Sequence, residues 1–292
     1  NEIKGKGYAG GKTILDDFIR TLPGPARNAT KSFRRFETEP AIEAQADWTV
    51  HRVVIAGVER VVHFFAMVLA WSRYLFIGAY RDERLPTLLA AHVEAFESFG
   101  GVTSHIVYDN MSTVVVGRRG REVIWNPRLL EFARHWGYDP LACRPADPDR
   151  KGKIEAGFPY HHNAFLKERV FDSWDQLESE QRAWLEHANA RVHGTTRHVP
   201  AVRLEHERPL LTRAPETPFP AYREEHRSVY HDGTVSIGGV RYSVPPDLVN
   251  RTAAVRVHLR HIEVLDDRGA VRARHAIHDP RDGVVIDPAH YE

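Results

Sequence analysis

Three acidic residues constrain this chain more than any other feature: Asp47 in Gln45-Ala46-Asp47-Trp48, Asp109 in Ile106-Val107-Tyr108-Asp109-Asn110, and Glu155 in Lys151-Gly152-Lys153-Ile154-Glu155. Sixty-one residues stand between the first pair and forty-five between the second. Each acid lies at or just beyond an apolar stretch that reads as a strand, or at the start of a helical stretch. Taken singly, each is an ordinary surface or turn residue. Their meaning depends on the order of elements that carries them.

That order can be read from spacing. Ala44–Ile55, Arg60–Ala70 and Tyr74–Tyr80 are rich in β-branched and aromatic residues, with turn signals at Gly57 and around Ser72. They predict a three-stranded meander. Leu85, Leu88, Leu89 and Val93 have helical spacing, and Gly100-Gly101 closes that helix near Phe99. A short strand, Ser104–Tyr108, delivers Asp109. A second helix runs from Pro127 to Trp136 and stops at Gly137, a strand covers Pro140–Arg144, and the Lys-Gly-Lys segment leads into helix. The sequence βββαβαβα is that of an RNase H-like core: an α/β fold with a mixed five-stranded sheet and helices.

Such a core gathers distant carboxylates around divalent metal. Phosphodiester transfer needs an in-line nucleophile and positive charge on the non-bridging and leaving oxygens, which two metal ions about 3.5–4 Å apart provide. Hard cations such as Mg²⁺ or Mn²⁺ take oxygen ligands and keep several waters, so few carboxylates suffice. Two ions are expected here.

The remaining organisation divides at turn and proline signals. Residues 1–40 form a short mixed segment, in which Thr13 and Asp16 suit the start of a helix over Ile14–Leu22. Gly10-Gly11-Lys12-Thr13 hints at a phosphate loop, but Lys6 stands where a glycine is needed and no strand precedes it. The catalytic core with a helical extension spans 41–212, a Pro-rich linker 213–227, and a small β-barrel 228–276, with a tail over 277–292. Turn signals at Asp232-Gly233, Gly238-Gly239, Pro245-Pro246 and Asp267-Arg268-Gly269 support the barrel.

With 42% hydrophobic and 27% charged residues the chain is globular in composition. Its net charge is only +1, so a nucleic-acid surface must concentrate its cations locally. Arg118, Arg119 and Arg121 form a basic loop after the Asp109 strand; Arg150, Lys151 and Lys153 flank Glu155. Cations beside a phosphoryl-transfer centre would position the DNA backbone. Cys143 is the sole cysteine, which excludes an internal disulfide and points to a reducing cytoplasm. No apolar run approaches a membrane span and no signal peptide opens the chain. It begins on Asn1 rather than Met, as a fragment of something longer would. His161-His162 and His193 lack the further ligands of a zinc site and read as structural or phosphate-contacting.

At these residues the chain resembles the IstA-type transposases of bacterial insertion sequences, DDE-superfamily proteins with a retroviral-integrase-like core. The resemblance runs through Glu37-Thr38-Glu39-Pro40, Gln45-Ala46-Asp47-Trp48, Gly100-Gly101, Tyr108-Asp109-Asn110, Arg144-Pro145 and Lys151 to Glu155. It continues in Asn189, Arg191, His193-Gly194-Thr195-Thr196 and Gly239 through Pro245. It implies metal-dependent cutting and joining of transposon ends, with Asp47, Asp109 and Glu155 as the catalytic and metal-binding triad. Arg191 and His193 would join the DNA-binding set. The implied partners are double-stranded DNA, an AAA+ ATPase of the IstB type, and further copies of the chain on paired DNA ends. The implied location is the bacterial cytoplasm, on the nucleoid. Departures are Thr49 where the family often has Gly, Ser112 where it often has Lys, and Gly157 and Pro159 just after Glu155. A proline at 159 cannot bond the carbonyl of residue 155, so a helix starting near Pro159 is expected. An RNase H-like nuclease or resolvase, or an inactive DNA-binding architectural protein, is the alternative reading.

Overall fold

The computed structural model describes residues 38–109, 111–120, 122–143 and 157–291. The N-terminal helix over 14–22 and the Gly10-Gly11-Lys12-Thr13 stretch lie outside the described residues, as do Asn110, Arg121, Arg150, Lys151, Lys153 and Glu155.

Three long strands open the described chain: β1 (Glu43–Ile55), β2 (Val58–Leu69) and β3 (Leu75–Tyr80). Ala56 and Gly57 join the first two with φ of 51° and 72°, the left-handed pair that a two-residue hairpin on twisted strands requires. Helix α1 (Leu85–Phe99) follows, then β4 (His105–Tyr108). A two-stranded ribbon comes next, β5 (Val115–Arg119) with β6 (Glu122–Trp125), ahead of helix α2 (Pro127–Trp136) and β7 (Asp139–Ala142). The sheet runs β3-β2-β1-β4-β7, with β4 parallel to β1 and β7 parallel to β4. Two residues of β8 (Val170–Phe171) extend it at the far end of β1.

Both faces of this sheet are covered along the second half of β2, so residues 64–69 are apolar throughout and sort by parity. Phe65, Met67 and Leu69 pack with α1 and α2, including Phe96 and Phe132. Phe64, Ala66 and Val68 pack with Phe165, Leu177 and Leu185. The second face is covered by α3 (Gly157–His161), which passes into a π-helical turn at His162–Leu166, and by α4 (Trp174–Ala190). The helix boundaries follow local chemistry. Asn126 caps α2 by accepting from Arg128 N at 3.0 Å, and Ser173 caps α4 by accepting from Gln176 N at 3.1 Å. Gly100 and Gly137 end α1 and α2 in left-handed conformation. The described part of helix α3 opens at Gly157 and contains Pro159.

Helix α5 (Pro200–Glu207) returns to the start of the core. Its last residue, Glu207, is fully buried and accepts from Ala41 N at 2.9 Å and Ser72 N at 3.2 Å.

The C-terminal region departs from the expected barrel. Its strands are β9 (Arg223–Ser228), β10 (Thr234–Ile237), β11 (Val240–Ser243), β12 (Thr252–Val257), β13 (His261–Leu265), β14 (Val271–Ala276) and β15 (Val284–Val285). They form two sheets, β10-β11-β15 and β14-β13-β12-β9, sharing one apolar cluster that includes Val235, Tyr242, Val255 and Val264. Among the described residues no pairing closes them into a barrel. β9 lies mostly within the span read as linker: Arg223–Ser228 is nearly all charged and joins the sheet by backbone pairing with β12 rather than by an apolar pattern. β15, in the span read as tail, pairs with Arg241 and Tyr242, and His290 there is buried against Ser243.

Candidate active site

Asp47 and Asp109 meet because β1 and β4 are parallel and in register. Glu43, Ala44, Gln45 and Ala46 pair with His105, Ile106, Val107 and Tyr108, and the next step along each strand is an aspartate. Neighbouring strands lie about 4.8 Å apart, and residues at matching positions point to the same face. Ala44, Ala46 and Trp48 belong to the cluster under α1 and α2, so Asp47 faces the opposite side with Thr49, His51 and Val53. Both aspartates line one open cleft of about 470 Å³ with Trp48, Glu83, Arg84, Met111 and Ser112. Asp47 Oδ1 accepts from Trp48 N at 2.8 Å, and the Asp109 carbonyl accepts from Met111 N at 2.7 Å, which turns the chain away after β4.

Among the described residues, three carboxylates and one guanidinium line this cleft. That excess of hard, anionic oxygen fits a divalent cation of the Mg²⁺ type. Glu83 is a lining residue that sequence reasoning missed: it lies in the Asp82-Glu83-Arg84 turn before α1, where charged residues are commonplace. Its Oε1 sits 2.9 Å from His63 Nδ1 on β2.

Glu155 lies outside the described residues. Seven positions later, the His162 ring stacks on His51 at 4.8 Å, on the face of β1 that carries Asp47. Gly157 sits beside β3, where a Cβ would come 3.6 Å from Leu75 Cδ1.

The cations sort into two groups. Arg118 and Arg119 are on strand β5, not in a loop; Gly120 alone, with φ of 62°, is the described part of the turn. The sequence hid the ribbon because Val115–Arg119 has a glycine at its centre and a charged end. Val114 is buried at its base and accepts from Asn126 N at 2.9 Å. Arg118 Nη2 donates to the Cys143 carbonyl at 3.0 Å, at the end of β7, while Cys143 N donates to the Tyr108 carbonyl at 2.9 Å. That guanidinium therefore stands beside the strand end that carries Asp109, and Arg119 is exposed.

Arg191 and His193 lie elsewhere. Arg191 follows α4 and donates to Tyr160 Oη at 3.4 Å. His193 Nδ1 accepts from Thr195 N and Thr196 N, each at 3.3 Å, and so organises its own turn. Burial and the charges of Arg73 and Arg203 hold His193 below the usual histidine range. Arg73 N bonds the Leu69 carbonyl, and Leu69 pairs with Ala44, three residues of β1 from Asp47. Three residues of strand are roughly 10 Å. Within its own turn His193 thus has a structural role. His161 is likewise structural: it is buried against Gln181, and burial pushes its ring down to about 3.

Residues 37–148 match the family model described as integrase core domain, and 214–287 match that of the Mu transposase C-terminal domain. The chain is 32% identical over 262 residues to a putative transposase for insertion sequence element IS5376 of Geobacillus stearothermophilus, covering 88% of this chain and 64% of that protein. It is 31% identical over 260 residues to the transposase for insertion sequence element IS21 of Pseudomonas aeruginosa, covering 88% and 66%. It thus spans just under two thirds of the length of these relatives. A chain of the simian T-cell lymphotropic virus intasome in complex with a PP2A regulatory subunit is similar at 14% identity, with a TM-score of 0.44, over 82% of this chain and 77% of that one.

Proposed function

We propose that this chain is an IS21-type insertion-sequence transposase built on an integrase core, and that it cuts and joins DNA at transposon ends by in-line phosphoryl transfer. The observation that carries the proposal is the shared cleft of Asp47 and Asp109, each the residue that follows the parallel, in-register pairing of β1 with β4. Asp47 and Asp109 would hold divalent metal, with Glu155 as the third ligand. The stacking of His162 on His51 supports that third assignment, because the stretch that follows Glu155 packs on the Asp47 face.

Bound Mg²⁺ or Mn²⁺, as two ions, would supply the positive charge that the transferring phosphate needs and the activation of the attacking oxygen. The chain's own groups orient the substrate. Arg118 of β5, which reaches the Cys143 carbonyl at the end of β7, would set its positive charge near a phosphate beside Asp109. Arg84 offers another positive charge from the N-terminus of α1. Water attacks at the transposon end first, and the freed DNA 3′-hydroxyl then attacks the target, with no covalent link to the protein. Arg119, Arg121, Arg150, Lys151 and Lys153 extend the track for the DNA backbone. The partners of this reading are double-stranded DNA, further copies of the chain on paired ends, and an AAA+ ATPase of the IstB type.

A strand-transfer assay with pre-cut ends in Mg²⁺ or Mn²⁺ tests it. The parent should join the ends to target DNA and Asp109→Ala should not. Joining at the parent's rate by Asp109→Ala, or no joining by the parent in either metal, refutes the proposal.

A further inference from the structure

A second group of metal-type ligands lies far along the chain from the acidic cleft. β12 and β13 are joined by a tight turn, closed by His258 N donating to the His261 carbonyl at 2.9 Å. The turn sets His258 directly opposite His261, and Glu263, two residues on, shares the face of His261. The two imidazoles stack with centroids 4.2 Å apart. Glu263 is 8% exposed, with Oε2 3.2 Å from His258 Nε2 and Oε1 3.7 Å from His261 Nε2. The three ligand atoms all lie within 4.8 Å of one another. Tetrahedral zinc, with bonds of about 2.0–2.2 Å, holds its ligands about 3.4 Å apart, so small side-chain rotations close the site.

We propose that His258, His261 and Glu263 form a zinc-class site across the base of this turn, with water in the fourth position. Two imidazoles and one carboxylate are a borderline-soft donor set that suits Zn²⁺ and not Mg²⁺. Arg274 Nη2 donates to Glu263 Oε1 at 2.5 Å and leaves Oε2, the oxygen facing His258, for the metal. The Arg274 side chain is 65% exposed, so its charge is largely screened.

The turn that the metal would clamp is the one that docks on the catalytic core. Leu259 packs against the apolar cluster under α1 and α2. Arg260 donates to Glu178 of α4 at 2.9 Å and to Glu94 of α1 at 3.0 Å. Glu94 also accepts from Tyr80 at 2.6 Å. A metal that fixes His258 and His261 fixes the two residues between them, and with them this junction.

The test uses the whole chain with Asp47→Asn and Asp109→Asn, so that the acidic cleft does not compete. Equilibrium dialysis against zinc should leave about one zinc per chain, and the melting temperature should rise with zinc but not with Mg²⁺. His261→Ala should weaken zinc at least ~10-fold and abolish the thermal gain. No retained zinc, or retention undiminished in His261→Ala, overturns the proposal. Should the histidine variant not fold, Co²⁺ titration of the histidine-intact protein decides. An intense visible spectrum, as four-coordinate Co²⁺ gives, supports the site, and only the weak spectrum of six-coordinate Co²⁺ refutes it.

Discussion

His92 Nε2 lies 2.9 Å from the hydroxyl of Tyr108, the residue immediately before Asp109, and both side chains are fully buried. The proton inventory of this pair is determined. His92 Nδ1 donates to the Leu88 carbonyl at 2.7 Å, so Nε2 carries the lone pair and Tyr108 donates to it. Tyr138 then donates to the Tyr108 oxygen at 2.9 Å. A chain of hydrogen bonds from α1 thus holds the end of β4, and the position of Asp109 depends on it.

That chain needs a neutral imidazole, and burial holds His92 down to about 4, below the usual 6.5. Between these values the unfolded state binds the proton that the folded state refuses, so stability falls as pH drops through this window. The shift corresponds to about 3 kcal/mol. Urea unfolding at pH 7 and at pH 4.5 should show this loss, and His92→Gln should flatten its share of the slope. Tyr108→Phe should cost ~1–2 kcal/mol at pH 7 by leaving Nε2 without its donor. An equal pH slope in parent and His92→Gln contradicts the assignment.

The pairing of Asp47 with Asp109 makes a separate prediction about metal. Two carboxylates in one cleft offer hard oxygen ligands to a divalent cation. Saturating Mg²⁺ should therefore raise the melting temperature by a few degrees; at one hundred times Kd the gain is about 2.7 kcal/mol. Asp47→Asn should remove the gain. Calorimetry with Mg²⁺ and with chelator checks both arms. A thermal gain that persists in Asp47→Asn assigns the metal elsewhere.

Much of this architecture was legible because its boundaries are local. Gly57, Gly100 and Gly137 each need a left-handed backbone, so their positions punctuate the chain wherever tertiary contacts fall. The position of Asp109 was legible for a related reason: it stands just past a short apolar strand, and strand ends can be read. What stayed hidden depends on partners distant in sequence. Arg223–Ser228 carries no apolar alternation and becomes a strand only because β12 offers it a ladder. Glu83 enters the cleft through the turn after β3. Arg256 on β12 pairs with Glu224 of β9, and Arg260 just beyond it reaches the core. That destination is written in the other half of each pair.

Gly101 is required by close approach. A Cβ there would lie 2.7 Å from the Thr212 carbonyl oxygen and 2.7 Å from Leu211 Cβ. The backbone cannot yield easily, because Val102 and Thr212 bond each other in both directions at 2.9 and 2.8 Å. Gly101→Ala should lose ~2 kcal/mol or more, the range of an overpacked core site. Gly57→Ala, with nothing within 4 Å of its Cβ, should cost only the φ penalty, roughly 1 kcal/mol. Comparing their urea midpoints checks the ranking, which a smaller loss in Gly101→Ala would reverse.

If Arg118 positions a phosphate, its effect on DNA binding is electrostatic and independent of sequence. Arg118→Ala should weaken binding to specific and random duplexes alike, and reduce the slope of log affinity against log salt by about 1. Its loss also removes one donor from the Cys143 carbonyl. Arg118→Lys should therefore recover part of the affinity, since it keeps the charge without the planar fork. Fluorescence anisotropy across a salt series separates the outcomes. An unchanged slope in Arg118→Ala would show that the guanidinium serves only the ribbon.

Glu207 tests whether the helical extension belongs to the catalytic core as a folding unit. Its carboxylate is fully buried and accepts from two backbone amides on separate segments, Ala41 ahead of β1 and Ser72 between β2 and β3. Glu207→Ala leaves both amides buried without acceptors. Each orphaned donor costs ~1–3 kcal/mol, so a loss of about 3 kcal/mol is expected. Glu207→Gln keeps one carbonyl acceptor but sets an amide donor against the other N–H, so it should lie between alanine and parent. Because Ala41 leads directly into the strand that carries Asp47, hydrogen exchange at the start of β1 should rise in Glu207→Ala along with that at Ser72. Protection unchanged at both amides would show that the extension folds apart from the sheet.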